Sequence, residues 1–116
     1  LTLVGRVELS DGVNMSLIYA WQKLHLAVDT LCGQESQAAR LADAVQLYLV
    51  NVRPDDLPAD LRGEFLQAMS ELKAVGAHGE EANIRATINS LDASVREQAI
   101  RKILHIFSAV CRHFEA

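Results

Sequence analysis

The spacing of apolar residues near the C-terminal end of the chain predicts a long helix. From Val95 to Phe114, apolar side chains recur at steps of three and four, which places them in one stripe along a helix. The stripe consists of Val95, Ala99, Ile103, Ile106, Val110 and Phe114, and the row beside it of Ile100, Leu104, Phe107 and Cys111. Because such a helix is apolar over most of its circumference, we expect other elements or another chain to cover it.

The same helical spacing of apolar residues recurs in four earlier segments. Each segment carries a stripe of aliphatic and aromatic side chains with polar residues between them. The third begins at Pro58 behind a pair of aspartates, which is a typical entry signal for a helix. We expect these helices at residues 16–32, 36–52, 58–73 and 80–90.

Residues with special backbone preferences mark where these helices end. Gly33 is placed to end the first helix in a left-handed conformation. Pro54 ends the second, because proline disfavours helical geometry in the residue before it. Asp92 or Ser94 is expected to cap the last helix, and Ser94 has the spacing of a capping box. Gly63 interrupts the third helix, so we expect a neighbouring element to pass close to it.

Together these elements predict an all-α fold: a compact bundle of four main helices plus one short helix. The long apolar C-terminal helix would lie centrally or at an interface. A chain of 116 residues is long enough for one domain, which we expect at residues 15–116. Residues 1–14 have a different, extended pattern and are expected to form an N-terminal arm. Since Met15 opens the helical stretch, we expect it to be the natural start and the arm to be a non-native extension.

Composition and charge narrow the classes of function. Apolar residues make up 50% of the chain, which is enough for a packed core and argues against disorder. No apolar run approaches the roughly 20 residues that a membrane-spanning helix needs. The net charge is −4, with the acidic residues concentrated in the middle of the chain. The chain therefore lacks the positive excess of most nucleic-acid-binding proteins, and we expect neither nucleic acid nor a membrane as its main partner.

The histidines and cysteines of the chain do not have the spacing typical of a metal site or a catalytic site. The four histidines are His25, His78, His105 and His113. None has a second ligand spaced so that both could reach one zinc ion. Cys32 and Cys111 are expected to be small buried hydrophobes, although sequence alone leaves open whether they pair. We therefore expect no metal, no cofactor and no enzymatic activity.

A resemblance to other proteins depends on three segments of the chain, at residues 40–44, 56–62 and 74–87. Together they resemble a group of small all-helical bacterial proteins of similar length with no assigned function. The residues that match are helix caps and core positions. The resemblance implies a bacterial, cytoplasmic helical domain, and it carries over no functional residue.

The surplus of apolar residues on the last helix predicts a contact surface. We expect a protein–protein interaction module, most simply a homodimer, with another protein as the other partner class. The expected interface consists of Ile100, Leu104, Phe107, Cys111 and Phe114, with Trp21 and Tyr19 as aromatic anchors. The alternative is a monomer in which the first three helices cover the last one on all sides.

A second hypothesis is a DNA-binding domain of the helix-turn-helix type at residues 80–105. A short helix, a cap and a longer helix follow each other there, as in that motif. The residues that would face a groove are Arg96, Gln98, Arg101 and Lys102. Against this hypothesis, Asp92 stands where the turn usually has a glycine.

Overall fold

Helices make up nearly all of the chain that the computed structural model describes, which is residues 15–73 and 80–114. No strand occurs in these ranges, so the prediction of an all-α fold is confirmed. The helices are α1 (Met15–Leu31), α2 (Gln37–Leu47), α3 (Ala59–Leu72), α4 (Glu80–Ser90) and α5 (Ala93–Arg112). Two 3-10 turns, Leu49–Asn51 and Pro54–Asp56, connect α2 to α3. The arm expected at residues 1–14 lies outside the described residues.

The relative lengths of the helices differ from the prediction. Both α2 and α4 have 11 residues, so the described part has three longer helices and two short ones, rather than four and one. Helix α1 packs against α2, α5 and both 3-10 turns, and it buries Leu17, Ala20, Leu24, Ala27 and Leu31. Helix α5 packs against α1, α2 and α3. The core contains buried side chains from all five helices and from the first 3-10 turn.

Helix α5 is amphipathic, and the prediction that it is apolar over most of its circumference is wrong. Its buried residues form one narrow stripe of Ile103, Ile106, Ala109 and Val110. The opposite side is polar and exposed, with Glu97, Gln98, Arg101, His105, Ser108 and Arg112. The second apolar row lies at the edge of the buried stripe, where neighbouring helices cover it only in part.

The end of α1 does not use the expected left-handed glycine. The backbone of Gly33 is outside the left-handed region, and its N–H donates to the Thr30 carbonyl at 3.1 Å. The Arg40 guanidinium instead donates to the Leu31 carbonyl at 2.6 Å and to the Glu35 carbonyl at 2.9 Å. A side chain from the next helix thus binds a carbonyl that the helix end leaves without a helical partner.

Helix α2 ends at Leu47, five residues before the predicted end at residue 52. Tyr48, with φ −128° and ψ −52°, departs from helical geometry, and a 3-10 turn follows. The tighter turn buries both Leu49 and Val52. Apolar spacing alone could not separate this turn from another turn of α-helix, because both bury residues three apart.

The beginnings of α3 and α5 also differ from the prediction. Pro58 stands just before α3, and nothing lies within 4 Å of the position that a Cβ at Gly63 would occupy. The expectation of a close neighbour there is wrong. Asp92 occupies the N-cap position of α5, but its side chain makes no capping bond. Ser94 lies inside the helix, so the predicted capping box is not formed.

Candidate interaction surface

Four aromatic rings from α1 and α5 form one cluster at the surface. The Trp21 ring stacks on the His25 ring with centroids 5.3 Å apart and planes 6° apart. Trp21 also contacts Phe107 at 6.5 Å and Phe114 at 6.4 Å, and the Phe114 ring meets it edge-on at 71°. His25 lies 6.1 Å from Phe107. From Trp21 to His25 along α1, the contacted ring on α5 moves back from Phe114 to Phe107. The two helices are therefore antiparallel.

An open apolar pocket lies beside this cluster. Ile18, Trp21, Cys111 and Phe114 line it, and its volume is about 320 Å³. Phe114 keeps 38% of its surface exposed, and Leu104 keeps 40% on the same side of α5. We call this surface the aromatic face, and we define it as Ile18, Trp21, His25, Leu104, Phe107, Cys111 and Phe114.

The structure brings together four of the seven residues of the predicted interface through direct contacts or a shared pocket. These are Trp21, Phe107, Cys111 and Phe114. Leu104 shares their side of α5 by helical spacing, one turn before Phe107. Ile100 is partly buried against the core and is less available for contact than predicted.

Tyr19 does not belong to the aromatic face. Residues two apart on a helix point to different sides, so Tyr19 and Trp21 diverge. Tyr19 is exposed, and the ammonium nitrogen of Lys23 lies 5.4 Å from its ring centroid. Met15 and Leu26 are also exposed on α1, so this helix carries apolar surface beyond the aromatic face.

Sequence analysis missed two residues of the aromatic face, Ile18 and His25. Both lie one helical turn from Trp21, at i−3 and i+4, and therefore on the same side of α1. The spacing could have identified them once Trp21 was chosen as an anchor. The sequence favoured a surface position for His25, because no second metal ligand lies near it along the chain, and the hydrophobic surface of its ring was left out.

The residues proposed to read DNA have intramolecular partners. The Arg96 guanidinium donates to the Leu91 carbonyl at 2.6 Å, to the Ile88 carbonyl at 3.2 Å and to Gln37 Oε1 at 2.8 Å. It therefore joins the turn between α4 and α5 to the beginning of α2. This arrangement directs the guanidinium into the fold and away from a DNA groove.

The other three residues of that hypothesis lie at the surface. Arg101 pairs with Glu97 on its own helix at 2.9 Å, and Lys102 pairs with Glu71 of α3 at 3.4 Å. Gln98 is exposed beside a shallow pocket that Val95 and Lys102 also line. DNA binding through residues 80–105 stays a prediction, but Arg96 is not free to take part in it.

Within the described part of the chain, the other candidate residues form neither a disulfide nor a metal site. Cys32 and Cys111 are both free thiols, and the prediction that they are buried is wrong, because Cys32 is exposed and Cys111 is half-buried. Within residues 15–73 and 80–114, no three His, Cys, Asp or Glu side chains converge as ligands for a metal ion. Among the same residues, no helix is both long enough and apolar enough to cross a membrane.

Comparisons with known proteins give no match: no family model, no curated protein and no solved structure is similar to the chain. The resemblance to small helical bacterial proteins therefore stays a prediction.

Proposed function

We propose that this protein is an interaction domain rather than an enzyme, and that it forms a homodimer through the aromatic face. The observation that supports this most directly is the cluster of Trp21, Phe107 and Phe114 around an open apolar pocket. Aromatic side chains that cluster at a surface are typical anchors of protein interfaces, where they account for much of the binding free energy.

The shape of the aromatic face favours a second copy as the partner. Two antiparallel helices form it, and two such pairs placed face to face make the four-helix arrangement common in helical proteins. A two-fold dimer brings the same patch of both copies together, so the pocket beside Trp21 of one copy would receive an apolar side chain of the other. Phe114 is the side chain best placed to enter that pocket, because it is exposed and lies at the pocket edge.

The charge distribution is compatible with this pairing. The molecule has a net charge of −4, so two copies repel each other in most orientations. On the two helices that form the aromatic face, however, Arg101 is paired with Glu97, and α1 carries one lysine and one aspartate, Lys23 and Asp29. Lys23 and Asp29 together therefore bring no net charge to the contact.

The test is the molar mass in solution, measured by light scattering and analytical ultracentrifugation over a range of concentrations. Phe114→Glu and Leu104→Glu each place a charge on the aromatic face at a position that is 38% or 40% exposed, so the fold can tolerate them. The matched control is Leu66→Glu, because Leu66 is 53% exposed on α3, a helix that contributes no residue to this face.

We expect a dimer for the wild type and for Leu66→Glu, and a monomer for the two variants of the aromatic face. Circular dichroism should show the same helix content in all four proteins. A wild type that stays monomeric at every concentration would contradict the proposal. If the Leu66→Glu control dissociates to the same extent as the two variants of the aromatic face, the proposal is contradicted as well.

A further inference from the structure

We draw no further inference here: the strongest candidate, the shallow pocket between α3 and α5 that Leu72, Leu91, Val95 and Ala99 line together with the ion pair of Glu71 and Lys102, carries nothing, because nothing in the structure shows what covers it.

Discussion

Arginine side chains bind backbone carbonyl groups at the ends of two helices and after one 3-10 turn of this small fold. Arg40 binds the end of α1, Arg96 binds the end of α4, and Arg62 donates to the Leu57 carbonyl just before α3 at 3.0 Å. The last carbonyls of a helix have no partner within it, and a guanidinium can reach several of them at once. At the end of α1, Arg40 thus takes the place of the glycine cap that the sequence predicts.

We predict that Arg96→Ala lowers the free energy of unfolding by about 1–3 kcal/mol, because it removes charge-assisted hydrogen bonds from three acceptors. Arg96→Lys should recover only part of this loss, since an ammonium cannot reproduce the planar fork of the guanidinium. Urea unfolding followed by circular dichroism measures both values.

The control for this prediction is Arg101→Ala. Arg101 is an exposed residue of the same helix, and its pairing with Glu97 is also exposed, so we expect a change below about 0.5 kcal/mol. If both alanine variants unfold at the same urea concentration, Arg96 does not hold the turn between α4 and α5 in solution.

At the scale of the elements, Gly63 offers a direct test of helix α3. The residue is exposed in the middle of the helix, with open space around the position of an added Cβ. Gly63→Ala should therefore raise the free energy of unfolding by about 0.5–1 kcal/mol, because alanine loses less backbone entropy on folding. Thermal unfolding measures this gain, provided that the variant and the wild type have the same helix content.

Gly33→Ala is the matched control for Gly63→Ala. A Cβ at Gly33 would lie 3.3 Å from the Thr30 carbonyl oxygen, which is closer than ordinary contact. We expect no stabilisation there, because the neighbouring backbone has to move. A loss of stability in Gly63→Ala would instead mean that another part of the chain packs against α3 at this position.

Most element positions could be predicted from the sequence, and the errors have a common physical cause. Apolar spacing predicts five helices in the right order. The second is predicted to begin at Ser36, which in the structure stands one residue before α2 and caps it, because its Oγ accepts from the Ala39 N–H at 3.2 Å. The predicted helix ends are wrong where contacts with residues distant in sequence decide the backbone geometry. Helix α1 ends on a guanidinium from α2, and α2 ends in a 3-10 turn that buries Val52.

At the scale of the whole molecule, the candidate surface could be predicted only in part. The sequence predicts Trp21 and Tyr19 of α1 as aromatic anchors and places the surplus of apolar residues on α5, but Tyr19 lies outside the aromatic face. In the structure α5 is amphipathic, and α1 supplies much of the exposed apolar surface. Which edge of a stripe remains uncovered depends on where neighbouring helices pack, and the composition of one helix does not contain that information.

Trp21 makes the proposed assembly directly observable, because it is the single tryptophan of the chain and lies in the aromatic face. We predict that its fluorescence emission shifts to longer wavelength when the protein is diluted over about three decades of concentration, as pairing is lost by mass action. The midpoint should equal the dissociation constant from ultracentrifugation. Phe114→Glu should emit at the longer wavelength at every concentration, and Leu66→Glu should follow the wild type. Emission that is independent of concentration would mean that no second copy covers this surface.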